Sequence, residues 1–350
     1  MGEDIREILD FIPGRFVVRR RICKKFSCRD CGRIVEGELP AMPIEKGLPG
    51  AGLLAHVLVS KFADHLPLYR QTQIYAREGV ALSRATMVGW VGKMAALLAP
   101  LAERVEAHVL GGEAIHTGDT PVPVLDPGRG RTKTGRYWAH VRDERPHGSA
   151  IPPAAFYRYS PDRRAAHPRD HLKNYAGFLH ADGYAGYEKL YQERSIAEVA
   201  CMAHVRRKFF DIHEATAAPI AKKTLVRIAA LYRIERTICG KPPDERRRVR
   251  QEQAKPLFEE LRAFLESTLP SLPARGSLAK AVRYAIARMK RLTVYLGDGR
   301  LEIDNNAAER SVRGVCLGKK NYLFAGADSG GVSGAVIYTL VETAKLKGII

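Results

Sequence analysis

Apolar and polar positions change their period several times along this chain, and each change predicts a different kind of element. Residues 14–38 read as short strands around a cysteine cluster, and 39–52, rich in Pro and Gly, as a linker. From 53 to about 106 the period is helical. Leu54, Val57, Leu58 and Phe62 share a face, and Ser83 precedes a helix over 85–98 as its N-cap. Strand character follows at 114–120, and period two over 136–141 and 154–159 predicts two antiparallel strands. A short apolar strand over 178–181 ends at Asp182. Another, 197–203, runs into a basic helix over 204–214. Residues 219–296 read as helix almost throughout. Leu225, Ile228, Ala229 and Tyr232 form one stripe, 244–268 a second helix with residues 246–250 on its polar side, and 277–296 a third. A helix over 304–316, a strand at 322–324 and a helix over 332–347 follow. The order predicts an α/β fold: a mixed sheet with helices around it, interrupted by a helical insertion.

Charge changes the picture by naming a class of partner. The 350 residues carry a formal net charge of +19, spread along the chain rather than held in one tail. Such an excess favours a polyanion, most simply nucleic acid, over a broad surface. An anionic membrane is the competing partner, but no continuous run of about 18 apolar residues is evident. The start, MGEDIREILDF, is acidic and amphipathic and does not read as a signal peptide. The expected location is cytoplasmic.

Cys28 and Cys31, in CRDCG, have the spacing of half a zinc knuckle, with Cys23 as a third candidate ligand and no evident fourth. The alternative is free thiols in a remnant knuckle. Around 80–94 a turn and SRATMVGWVGKM resemble a helix-turn-helix with Arg84 and Lys93 available for phosphates; plain helical packing with Trp90 in the core is the competing reading. Trp90 and Trp138 are candidate base-stacking residues or, more simply, core.

Three carboxylates stand out by context. Asp119 and Asp182 lie at predicted strand ends, and Glu309 on a late helix with Asn305 and Arg313 on the same face. Carboxylates converging from strand ends can hold two divalent ions that activate a water or a 3′-hydroxyl. Arg310, Arg313, Lys319 and Lys320 beside Glu309 suit phosphates, as do Arg206 and Arg207 on the earlier basic helix. A solvated, ion-paired surface helix is the plain alternative. His116, His180 and His204 either line a site or are packed, satisfied histidines.

Long motifs then carry a family resemblance. DTPVPVLDPGRGRTKTGRYWAHVRD, HADGYAGYEKL, CMAHVRRKFFDIH and DNNAAERSVRGVCLGKKNYLFAGADSGG resemble the IS66-type insertion-sequence transposases, as does KFADHLPLYRQTQIYAREGVALSRATMVGWV before them. The resemblance covers roughly residues 14–347. It implies a ribonuclease-H-like core with an Asp-Asp-Glu triad, here Asp119, Asp182 and Glu309, binding Mg²⁺ or Mn²⁺. The chain would then divide into a partial zinc-knuckle-like segment (1–38), a linker and helical DNA-binding segment (39–110), the first part of the core (111–216), a helical insertion (217–300) and the rest of the core (301–350). The implied activity is binding of terminal inverted repeats, metal-dependent cleavage and strand transfer. Implied partners are transposon ends, target DNA, further copies of the chain on DNA and companion proteins of the element.

Three departures qualify the resemblance. Relatives carry an acid where this chain has Gly118, and neighbouring side chains on a strand point to opposite faces, so Asp119 is expected to point away from the metals unless the strand bends. The two ends also stop short of the family pattern, which suggests a truncated copy. The alternative function is therefore a catalytically inactive remnant that only binds DNA. A structured-RNA-binding protein or a general nuclease is a third, weaker reading.

Overall fold

The computed structural model describes Leu9 and residues 14–37, 40–45, 47–193 and 195–349. The amphipathic start, apart from Leu9, lies outside these. The cysteine cluster forms a two-stranded ribbon, β1 (Lys25–Ser27) antiparallel to β2 (Ile34–Glu36). Three helices follow: α1 (Ala51–Phe62), α2 (Leu68–Arg77) and α3 (Arg84–Leu110). Ser83 caps α3 as expected, its hydroxyl accepting the Thr86 N–H at 3.0 Å. The helix runs well past the expected residue 98.

A five-stranded sheet forms the centre. Its strands are β3 (Ala114–Asp126), β4 (Arg131–Arg142), β5 (Ala154–Ser160), β6 (Gly177–Ala181) and β7 (Ile196–Ala200), in the order β5-β4-β3-β6-β7. β3 is antiparallel to β4 and β4 to β5, whereas β6 runs parallel to both β3 and β7. Short helices α4 (Ala166–His171) and α5 (Glu188–Glu193) lie in the crossovers. The sheet alternates as a two-sided strand must. Val122, Val124, Tyr137, Ala139 and Val141 join a core with helices from both ends of the chain, while Ile115, Trp138, Phe156 and Leu179 pack on the other face.

After β7 comes the helical block. It comprises α6 (Met202–Thr216), α7 (Pro219–Thr237), α8 (Pro243–Val249), α9 (Lys255–Thr268), α10 (Ser277–Leu292) and the short α11 (Val294–Gly297), around a separate apolar core. The chain then returns to the sheet as α12 (Asn306–Tyr322) and α13 (Asp328–Leu346).

Several expectations need correction. Arg246 and Arg250 are not on a polar face: they are 1% and 0% exposed. A wide helical turn over Arg250–Ala254 joins α8 to α9. Arg250 meets both oxygens of Glu235 (2.9 and 2.6 Å) and the carbonyls of Tyr295, Asp298 and Leu301. Arg246 meets Glu302 at 2.6 Å. A helical stripe cannot reveal such partners, because they come from other elements. The strand expected at 322–324 is replaced by the end of α12, and only Ala325 bridges Val124. Trp90 and Trp138 are core residues, 8% and 0% exposed, and cannot stack on DNA as placed. Finally, α3 is long and apolar enough by composition to cross a membrane, although no uninterrupted apolar run exists. Its Met87, Trp90, Val91 and Met94 face packs into the protein core.

Candidate active site

A buried polar hub fixes the ends of β3, β6 and β7 against the residues entering α12. Asn305 donates its amide N–H to Thr117 O (2.7 Å), so its side-chain oxygen faces His116 Nδ1 at 3.1 Å and accepts from it. His180 Nε2 accepts the Glu302 backbone N–H (3.0 Å), which leaves its Nδ1–H facing Ile115 O at 3.4 Å. The two imidazoles stack 4.1 Å apart. The Asn305 N–H reaches Cys201 Sγ at 3.2 Å, and Met202 N donates to Ile303 O. Burial pushes His116 down to about 4, burial and the neighbouring His116 push His180 well below its usual value, and burial pushes the Cys201 thiol up to about 12. All three are neutral near pH 7. His116 and His180 are thus packed histidines that position the site's framework. Cys201 does the same at the start of α6.

Both later acids spring from this hub. Asp182 lies two residues beyond His180, and Gly183 after it adopts φ +79°, in the left-handed region that glycine tolerates. The Asp182 carboxylate accepts the Tyr184 N–H at 3.0 Å. Glu309 lies four residues beyond Asn305, in the first turn of α12, where the helix dipole favours a negative charge. His204 and Arg207 face it, each at 3.4 Å. The two side chains remain 31% and 33% exposed.

Asp119 sits differently. It shares a face of β3 with Thr117 and lies opposite Trp138 in the ladder. Its carboxylate is 3% exposed, with Arg136 at 2.7 Å on one oxygen and Arg163 at 2.9 Å on the other. The same Arg163 guanidinium lies 3.7 Å from Asp182. Position 118 points the other way: a Cβ on Gly118 would lie 3.4 Å from the Cβ of Ala308, the residue before Glu309.

The predicted cations divide as well. Arg206, Arg207, Arg310, Arg313 and Lys320 are exposed. Lys319 is engaged within the protein, donating to Thr120 Oγ1 (3.0 Å) and Pro121 O (2.9 Å). Sequence reasoning missed Arg163, Lys208 and Arg288. Arg288 reaches Gly183 O at 3.4 Å and stacks on Tyr284, whose ring also carries Lys208. These residues come from a polar loop and two separate helices, so no spacing announces them.

Fit to metal follows from donor chemistry. Asp182 and Glu309 are partly open carboxylates and fit as oxygen donors to a hard divalent ion. Asp119 does not fit while both its oxygens hold guanidinium groups. Among the described residues, no group of three or more His, Cys, Asp or Glu is placed to hold a metal ion. At the ribbon, N–H groups of Cys31 and Asp30 hold the Cys28 thiol below its usual value, as a thiolate ligand requires. Cys31 is exposed beside it, whereas Cys23 donates to Gly37 O at 2.6 Å. Half a zinc site fits these residues.

Comparison with known proteins decides the family. The family described as "Transposase IS66 family" matches residues 46–333. The chain belongs to the IS66 transposase family. A second match, to the zinc-finger binding domain of IS66 transposases, covers residues 1–32 and so takes in Cys23, Cys28 and Cys31. Relatives include the uncharacterized proteins y4qI and y4hP of Sinorhizobium fredii, each 38% identical across 100% of this chain. A third, y4jD of the same organism, is 37% identical. The chain spans 66% of the length of the first two and 70% of the third. The mixed α/β architecture agrees with the expectation for an IS66 chain.

Proposed function

We propose that this chain is a DNA transposase that binds the terminal inverted repeats of its element, cleaves there and joins the freed 3′-hydroxyl to target DNA. Asp182 and Glu309 would hold Mg²⁺ or Mn²⁺, which when bound polarises the phosphodiester and activates the attacking oxygen. Arg163 and Arg288 flank the first acid and Arg207 the second; they would hold the phosphates alongside Arg206, Arg310, Arg313 and Lys320. The observation that carries the reading is the hub, from which both open carboxylates project among guanidinium groups. A strand order of third, second, first, fourth and fifth, with the second antiparallel, supports a ribonuclease-H-like core interrupted by an insertion between Asp182 and Glu309. The reading also includes DNA-bound multimers, companion proteins, a zinc-binding N-terminal segment and a cytoplasmic, nucleoid-associated location. Mg²⁺-dependent cutting of element ends, lost in Asp182→Asn and Glu309→Gln, is the test.

A second reading, a catalytically inactive DNA-binding relative, is favoured by one observation. The position facing α12 is Gly118, while Asp119, the acid beside it, is occupied by Arg136 and Arg163. Asp119 remains the candidate third member of the triad only if those two arginines turn to DNA. Inactive wild type with activity in Gly118→Asp would select the second reading.

A further inference from the structure

We propose that the cavity beside the N-terminal half of α6 receives one unpaired nucleotide of a DNA strand, with its base stacked on Phe210. The cavity measures about 560 Å³ and is lined by Arg206, Arg207, Phe210, Asp211, Tyr232 and Asn306, within the size range of small-ligand sites. Phe210 is 40% exposed, whereas the adjacent Phe209 is fully buried in the insertion core. One ring therefore satisfies packing and the other is left to the cavity. The Arg206 guanidinium lies 5.5 Å from the Phe210 ring centroid, a cation–π pair that sets an aromatic ring and a positive charge side by side in the cavity lining. Bases stack on such platforms whatever their sequence, and the backbone follows the positive groove.

Arg207 connects this cavity to Glu309, lying 3.4 Å from its carboxylate while also lining the cavity wall. A nucleotide held there would share Arg207 with the Glu309 carboxylate. Bases inside a duplex cannot reach such a pocket, so the occupant is an extruded or single-stranded nucleotide. The inference rests on the DNA-binding part of the transposase reading, but not on any chemistry at the acids.

The test measures affinity, at one stated salt concentration, for a blunt duplex and for the same duplex carrying a short unpaired 3′ tail. Wild type is expected to prefer the tailed DNA. Phe210→Ala is expected to bring the ratio of the two affinities close to one, a loss of about tenfold, and Phe210→Trp to restore it. Since Phe210 is exposed, all three proteins should fold alike, which thermal melting checks. A preference that survives Phe210→Ala, or a wild type that binds both DNAs equally, overturns the pocket and leaves the transposase reading standing. Binding of free dAMP with the same Phe210 dependence, but no preference for the tail, overturns the assignment to a DNA strand. Failure to bind either DNA removes the transposase reading and the pocket with it.

Discussion

Asp119 and Glu309 carry the same charge within one chain, yet their surroundings give them opposite capacities. Asp119 is enclosed and saturated, with an arginine on each oxygen. Glu309 stands a third open on the first turn of α12, with the His204 imidazole and the Arg207 guanidinium each at 3.4 Å. A carboxylate that has already surrendered both oxygens can anchor arginines; one that has not can take up a ligand. The difference follows from strand geometry. Odd positions of β3 face Trp138 and the arginines, and even positions, beginning at Gly118, face α12.

Stability separates the two acids most strongly. Asp119→Ala leaves Arg136 without its counter-charge and Arg163 with only the longer contact to Asp182, which costs about 2–3 kcal/mol, less than a fully buried pair because both arginines are partly exposed. Urea unfolding reads this directly, and a change below about 0.5 kcal/mol would place Asp119 with Glu309 rather than opposite it. The hub beneath both acids sharpens the contrast through pH. His116 is neutral in the fold with its pKa lowered to about 4 from 6.5, so the unfolded chain binds more protons between those values. Stability is therefore complete above about pH 6.5 and falls as pH drops towards 4, by up to about 3 kcal/mol for this histidine. Melting temperature across that window would fall less in His116→Gln; an unchanged slope contradicts a neutral His116.

Gly118→Asp places an acid on the face of Ala308. It is expected to change stability by only about 1 kcal/mol, since the new Cβ meets its neighbour at 3.4 Å, and to tighten Mn²⁺ binding measured by calorimetry. Unchanged Mn²⁺ affinity would remove position 118 from the metal region. The smallest effect belongs to Glu309→Gln, which should alter unfolding free energy by less than about 0.5 kcal/mol because its pair with Arg207 is long and solvated.

Much of this architecture is legible in periodicity. The five sheet strands, the helical block after β7 and the return to the sheet follow from local pattern, although the strand expected at 322–324 does not form, and the opposed directions of residues 118 and 119 follow from alternation alone. The hub does not, because His116, His180, Cys201 and Asn305 are distant in sequence and meet only through strand order. For the same reason Arg250 reads as a polar-face residue until Glu235, fifteen positions earlier, is seen to face it in the interior. Arg163 has no signal at all: it is one of two adjacent arginines in a loop, and only the fold sets it between Asp119 and Asp182.

On the proposed function, the open acids Asp182 and Glu309 carry metal-dependent chemistry on DNA while Asp119 holds arginines. The direct measurement is the rate of Mg²⁺-dependent cutting at element ends by wild type, Asp182→Asn and Asp119→Asn, each verified as folded at the assay temperature. Asp182→Asn is expected to lose at least about a hundredfold in rate, and Asp119→Asn, once folded, to stay within about tenfold of wild type. Equal cutting by wild type and Asp182→Asn would contradict this role for Asp182.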